Sequence, residues 1–131
     1  WEAAEFAAHR RLGRLVWLID SNKMQLDGAL EDICRPFDIG EKLRAFGFSV
    51  ISVRGDDAEA VSRALYAVRD GAADDAPPTA VILNTRKGAG VLFAERAPMC
   101  HNLPVSGRDA DEAVAEIERR LAAGLYPGGE K

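Results

Sequence analysis

The sequence predicts an α/β fold in which a mostly parallel sheet lies between two layers of helices. Helical patterns alternate with short apolar runs along the chain, and this alternation is typical of parallel sheets. The runs are continuously apolar, which indicates strands buried on both faces. A length of 131 residues suits one domain with one hydrophobic core. We therefore expect a single three-layer sandwich without an internal repeat.

Four helices are predicted from apolar residues at helical spacing. The first opens the chain and ends at Gly13, and the second, in DIGEKLRAFG, ends at Gly47, because glycine commonly follows a helix. Asp56 or Asp57 caps the third helix by accepting its first backbone N–H groups. The last helix begins near Asp109. Its apolar stripe consists of Val114, Ile117, Leu121 and Leu125.

Three strands are predicted between these helices. They are RLVWLID (14–20), FSVISV (48–53) and TAVILN (79–84). Polar loops follow the first and third strands, at 20–28 and 84–101. In parallel sheets, ligands bind beyond the carboxyl ends of the strands. We therefore expect these two loops to form the functional site.

The composition excludes several functional classes. The net charge is −4 and the charges are interspersed, which argues against a broad nucleic-acid-binding face. No apolar run approaches the roughly 18 residues of a membrane span, and no signal-peptide pattern is present. Cys34 and Cys100 lack metal or disulfide-framework spacing. A cytoplasmic protein with reduced thiols, and without nucleic-acid or membrane partners, is the expectation.

The loop after the first strand, DSNKMQLDG (20–28), carries oxygen donors. Asn22 offers a neutral amide oxygen, and backbone carbonyls are available where the strand ends. Such ligands suit Mg²⁺, which often shares its coordination with a phosphate, and Asp20 and Asp27 could add negative charge. The alternative is a plain strand-to-helix turn, in which Asp and Asn side chains bond to their own backbone.

The loop after the third strand, NTRKGAGVLFAERAPMCHN (84–102), carries glycines, a lysine and a histidine. Lys87 can pair with phosphate, and Gly88 lets backbone amides approach a ligand. The spacing is not that of a P-loop. His101 is a candidate for proton transfer or an ordinary surface residue. His9, beside two arginines, is interpreted as a solvated helix residue.

These stretches together resemble the transketolase family over essentially the whole chain. WEAAEFAAHRRLGRLVWLIDSNKMQLDG is similar to the second half of the family's thiamine-diphosphate motif. LRAFGFSVISVRGDD resembles the segment that follows it there. NTRKGAGVLFAERAPMCH resembles the family run T-x-K-G-K-G-V-x-F-x-E that leads to a histidine. The resemblance implies the thiamine-diphosphate-binding fold, incomplete at its N-terminus.

The resemblance also implies roles for five residues. The Asn22 side chain and the Met24 carbonyl would bind Mg²⁺ or Ca²⁺, which grips the diphosphate of thiamine diphosphate. Lys87 and Gly88 would contact the cofactor. His101 would face the thiazolium carbon and move protons during carbon–carbon cleavage, a task that suits a side chain whose charge changes near neutral pH. The chain departs from the family pattern at three positions, Ala89, Cys100 and Asn102.

The beginning of the chain predicts missing partners. It opens on a helix without an initiator Met or a capping residue, and the family's Gly-Asp-Gly segment, whose aspartate is a further metal ligand, would precede it. Residues 1–131 are therefore interpreted as a partial diphosphate-binding domain, with 126–131 as a disordered tail. A pyrimidine-binding domain or subunit would carry the glutamate that activates the cofactor. We expect a homodimer or a heterotetramer, inactive without these portions.

Three functions are compatible with this sequence. The first is a transketolase in carbohydrate metabolism, which moves a two-carbon ketol unit from a ketose, often a sugar phosphate, to an aldose. The second is another thiamine-diphosphate enzyme, either a 2-oxo-acid decarboxylating subunit or a specialised two-carbon transferase. Cys100 and Asn102 motivate this alternative, because they alter the expected substrate side. The third is a non-catalytic homologous scaffold that has kept the fold without the chemistry.

Overall fold

A computed structural model of the chain describes residues 1–97 and 101–125. Cys100 and the segment 126–131, interpreted above as a disordered tail, lie outside the described residues. Within these residues the elements follow the order α1 (Glu2–His9), β1 (Val16–Asp20), β2 (Met24–Gln25), β3 (Gly28–Ala29), α2 (Leu30–Ile33), α3 (Ile39–Ala45), β4 (Ser49–Arg54), α4 (Ala58–Gly71), β5 (Thr79–Asn84), α5 (Leu92–Arg96) and α6 (Gly107–Ala122).

The three predicted strands form one parallel sheet with the order β1-β5-β4. Thr79 at the start of β5 is in register with Val16 of β1 and with Ser49 of β4. The last strand along the chain is thus central, and its residues Ala80 and Val81 are completely buried. All three strands run in one direction, so their carboxyl ends meet at one edge of the sheet.

Helices cover both faces of the sheet, as the sequence predicts. On one face α1 and α3 form a core with the sheet, made of Ala4, Ala7, Leu43, Phe48 and Ala80. On the other face, α4 packs Ala64 and Val68 against Val81. The Asp57 side chain caps α4 by accepting from the Ala60 N–H at 2.9 Å. The three-layer α/β architecture is therefore confirmed.

The first helix ends at His9, earlier than the predicted end at Gly13. The chain leaves the helix through Arg11, which has a positive φ of 48°. Gly13 is required for a different reason: a Cβ there would lie 2.0 Å from the carbonyl oxygen of Ala73. The glycine therefore marks the close approach of two loops at the amino edge of the sheet.

The edge strand β1 departs from the expectation of burial on both faces. Trp17 and Ile19 pack on the α1 side and Val16 packs on the α4 side, but Leu18 is 55% exposed. The small β2–β3 hairpin and the short helices α2 and α5 are not predicted from the sequence, because segments of two to five residues show no recognisable period.

The last helix begins at Gly107, slightly before the predicted start near Asp109. Ser106 and Asp109 form a reciprocal capping box, which satisfies two of the free N–H groups at the helix start. The residues of its predicted apolar stripe, Val114, Ile117, Leu121 and Leu125, are 40–54% exposed, and Leu125 lies beyond the end of the helix at Ala122. Among residues 1–97 and 101–125, no helix is long and apolar enough to cross a membrane.

Candidate functional site

The loops that follow β1 and β5 meet at the carboxyl edge of the sheet. The Ser21 N–H donates to the Leu83 carbonyl at 2.8 Å. The Thr85 hydroxyl donates to the Asp20 carboxylate, so a side-chain bond joins the two loops directly after their strands. The sequence prediction that both polar loops form one site is consistent with this contact.

Asn22 lies in a compact turn built from its own neighbours. Its Oδ1 accepts from the Met24 N–H at 2.9 Å, and its Nδ2 donates to Asp20 at 3.2 Å. Lys23 has a φ of 66°, and its Nζ donates to the Ser21 hydroxyl at 2.5 Å. The side-chain-to-backbone bond of the alternative is thus formed and orients the Asn22 side chain, although the β2–β3 hairpin, and not a plain turn, leads on to α2.

The turn remains compatible with a metal ion. An amide oxygen has two lone pairs, and the Met24 N–H uses one of those on Asn22. Asp20 receives bonds from Asn22 and Thr85, so its carboxylate already anchors the loop. The described residues contain no group of three His, Cys, Asp or Glu side chains that could hold a metal. The Asn22 amide oxygen thus keeps one lone pair for a ligand, and a neutral oxygen of this kind is a donor that hard cations accept.

The segment 86–90, which we call the KGAG loop, is folded by successive turns. The Ala89 N–H donates to the Arg86 carbonyl at 3.0 Å, and the Val91 N–H donates to the Gly88 carbonyl at 3.1 Å. Gly88 has a φ of 78°, and a Cβ there would lie 2.7 Å from the carbonyl carbon of Ala94. A glycine is therefore required where the loop crosses α5.

One carboxylate of α5 contacts both ends of the KGAG loop. Glu95 accepts from the Gly90 N–H at 2.8 Å and forms an ion pair with Arg86 at 2.6 Å. Its side chain is only 13% exposed. The Gly90 N–H, followed by the charge of Arg86, lowers the pKa of Glu95 below its usual value, although burial acts in the opposite direction.

His101 lies beside Lys87 in the described part of the second loop. The Lys87 Nζ is 3.3 Å from His101 Nδ1. An ammonium group can only donate, so this contact favours the tautomer with its proton on Nε2. His101 and Gly88 both line an open groove of about 670 Å³, together with Thr85. Asn22, Met24 and Lys87 do not line that groove, although all lie in the same two loops.

Several residues of this edge are not predicted as site residues from the sequence. Thr85 and Glu95 lie within the quoted family run, yet no sequence pattern indicates that Thr85 bonds to Asp20 or that Glu95 bonds to the KGAG loop. Asp56, which lines the groove, is paired with Arg54 at 3.3 Å, and this arginine lowers the pKa of Asp56. Each of these contacts depends on how the backbone folds or turns, and residue spacing in the sequence does not show this.

Comparison with known families matches residues 1–123 to the family described as "Transketolase, thiamine diphosphate binding domain". Among curated proteins, a 6-deoxy-6-sulfo-D-fructose transketolase subunit of Clostridium sp. strain MSTE9 is 37% identical over 122 residues, covering 93% of this chain and 43% of that protein. An apulose-4-phosphate transketolase subunit of Actinobacillus succinogenes is 35% identical over 118 residues, covering 90% and 41% respectively. The chain thus spans less than half the length of these relatives.

Solved transketolase structures share the fold. A transketolase from Pichia stipitis in complex with sedoheptulose 7-phosphate superposes with a TM-score of 0.61 and 21% identity, over 93% of this chain and 21% of that one. Transketolase from Leishmania mexicana gives a TM-score of 0.57 at 22% identity, over 93% and 21% of the two chains. At this level of identity, the likeness concerns the fold alone.

Proposed function

Because the chain belongs to the transketolase thiamine-diphosphate-binding-domain family, we propose that it forms part of an enzyme that transfers a two-carbon ketol unit from a ketose to an aldose. Two relatives that are at least 35% identical carry the name of transketolase subunits. Their names specify different sugars, a sulfonated fructose and a phosphorylated apulose. We propose a polar ketose, phosphorylated or similarly anionic, as the donor for this chain as well.

We propose that the turn at Asn22 holds the metal ion. The Asn22 amide oxygen and the Met24 carbonyl would bind Mg²⁺, or Ca²⁺ in its place, and the metal would anchor the diphosphate. The support is the geometry of the turn, in which Met24 holds the Asn22 oxygen in place through a 2.9 Å bond. An aspartate from a Gly-Asp-Gly segment would complete the protein ligands, as the family pattern implies.

The KGAG loop is proposed to contact the cofactor through Lys87 and Gly88. Thiamine diphosphate, when bound, supplies a carbon centre that stabilises the carbanion needed for ketol transfer. His101 is proposed to hold and move a proton at an oxygen of the substrate. The Lys87 contact at 3.3 Å favours a proton on His101 Nε2, which leaves that nitrogen able to donate.

The partners of this chain are also proposed. A pyrimidine-binding domain or subunit would supply the glutamate that activates the cofactor, and the assembly would be a homodimer or a heterotetramer. The word "subunit" in the names of both relatives supports a divided enzyme. The exposed apolar stripe of α6 supports an assembly too, because such faces are commonly covered in complexes.

The observation that carries the proposal is the convergence of two family-matched loops at one sheet edge, through the Thr85–Asp20 bond and the bond from the Ser21 N–H to the Leu83 carbonyl. A substrate panel on the assembled, cofactor-loaded enzyme tests it. We expect two-carbon transfer from a ketose to an aldose, without decarboxylation of 2-oxo acids. Decarboxylation without ketol transfer would favour a 2-oxo-acid decarboxylating enzyme. The absence of both reactions would favour a non-catalytic scaffold.

A further inference from the structure

We propose that Glu95 is a positioning residue that fastens both ends of the KGAG loop, so that Lys87 stays beside His101. This inference rests on the proposed function, because it assigns the loop to the cofactor site. Glu95 lies in α5, and each of its two carboxylate oxygens has a different partner in the loop. Oε1 accepts from the Gly90 N–H at 2.8 Å, whereas Oε2 pairs with Arg86 at 2.6 Å.

The position of these partners makes the carboxylate a clamp. Arg86 and Gly90 are the first and last residues of the KGAG loop, so one side chain bridges the whole segment. Hydrogen bonds that involve an ionised partner are stronger than neutral ones. The Glu95 side chain is 13% exposed, although its partner Arg86 is 69% exposed. In most ion pairs of the described residues both side chains are exposed, and such pairs contribute little.

The surroundings of Glu95 favour its ionised form. The positive groups that act on it are Arg86 of the loop and Arg120 of α6. Arg120 forms a 2.7 Å ion pair with Glu116, whereas Arg86 contacts Glu95 directly at 2.6 Å. The negative charge of Glu95 therefore acts mainly on Arg86 and the Gly90 N–H of the loop.

The clamp acts through the loop and not on a substrate. Glu95 does not line the 670 Å³ groove, whereas Gly88 and His101 do. Lys87 follows Arg86 directly, so its Nζ depends on the loop to stay 3.3 Å from His101 Nδ1. Gly88 lies against α5, where an added Cβ would be 2.7 Å from the carbonyl carbon of Ala94. Release of the clamp would therefore let the loop shift and separate Lys87 from His101.

Two variants of the full assembly test this inference. Glu95→Ala removes both contacts, whereas Glu95→Gln keeps an acceptor for the Gly90 N–H. Glu112→Gln, which breaks the exposed Arg108–Glu112 pair on α6, is the matched control. The readouts are hydrogen exchange of the amides of 86–91 without cofactor, affinity for thiamine diphosphate with Mg²⁺, and kcat and KM.

We expect Glu95→Ala to change amide exchange and cofactor affinity more than Glu95→Gln does, and we expect no change in the control. We expect Glu95→Ala to speed exchange in 86–91 and to weaken cofactor binding by roughly tenfold, the scale of a lost hydrogen bond to a charged group. Glu95→Gln should recover protection at Gly90 and part of the affinity. Wild-type exchange and affinity in Glu95→Ala would overturn the inference. If the wild-type assembly binds no cofactor, the proposed function fails, while the exchange data still test the clamp.

Discussion

The two loops at the carboxyl edge of the sheet are held in different ways. The turn at Asn22 is closed by residues within two positions of it, namely Asp20 and Met24. The KGAG loop depends on Glu95 of the following helix and meets His101, fourteen residues beyond Lys87. The turn at Asn22 is thus closed from within, whereas the KGAG loop is held by a side chain of the neighbouring helix.

This difference predicts that the KGAG loop is the more sensitive of the two to a small change of shape. Gly88→Ala places a Cβ 2.7 Å from the Ala94 backbone at a φ of 78°. We expect a loss of about 2–3 kcal/mol in the free energy of unfolding, from strain and overlap together, measured by chemical denaturation of the assembly.

Gly90→Ala is the matched control for that substitution. Gly90 also has a positive φ, of 91°, but a Cβ there would meet no atom within 4 Å. It should therefore cost only the conformational penalty, about 1 kcal/mol. Equal losses for the two variants would contradict the close packing of the KGAG loop on α5.

Thr85→Val tests the connection between the two loops. The substitution removes the donor to Asp20 while preserving the shape of the side chain. A loss of about 1 kcal/mol is expected, typical of one hydrogen bond, together with faster amide exchange in both 20–24 and 85–88. Faster exchange in only one of the loops would show that this bond does not couple them. Ser62→Ala, on the exposed surface of α4, serves as the control.

Acid should loosen the KGAG loop by protonating Glu95. The pKa of Glu95 is lowered from its ordinary value of 4.5, so its stabilising contribution is present above that value. It is lost as the pH falls through the lower pKa of the folded protein. We expect amide exchange in 86–91, corrected for its intrinsic pH dependence, to rise below pH 4.5 in the wild type. In Glu95→Gln, the corrected rate should not change with pH, and a wild-type-like rise there would point to another group.

The comparison also explains what the sequence can predict. The sheet and four main helices follow from periodicity and from local caps such as Asp57. The turn at Asn22 is one of two alternatives that the sequence predicts, because an asparagine bonds to its own backbone. Glu95 lies within the family run but has no predicted role, because its contact with Gly90 requires the loop to fold over α5. Gly13 shows the same limit, since its contact with Ala73 joins two distant loops.

The exposed stripe of α6 illustrates a second kind of limit. Its spacing correctly predicts an amphipathic helix, yet Val114 and Leu121 remain about half exposed among the described residues. A hydrophobic face indicates that something covers it, but periodicity does not identify the covering surface. The same holds for Leu18 on the edge strand, where the apolar run predicts burial that β5 and the two helix layers do not provide.

The roles of Asn22 as a ligand and as a turn residue can be separated by two substitutions. Asn22→Ala removes both the proposed metal ligand and the acceptor for the Met24 N–H. Asn22→Asp retains an oxygen for each purpose. Asp32→Ala, at an exposed position of α2, controls for the loss of a polar side chain in the same region. Circular dichroism of each variant would establish that the fold is retained.

Calorimetric titration of thiamine diphosphate into these assemblies, with and without Mg²⁺, tests the central claim most directly. We predict Mg²⁺-dependent binding to the wild type and to Asp32→Ala, binding that is largely retained in Asn22→Asp, and affinity reduced by about 100-fold or more in Asn22→Ala, since even indirect metal contacts alter affinity by 10–100-fold. Wild-type affinity in folded Asn22→Ala would contradict the assignment of this turn to the metal and its cofactor.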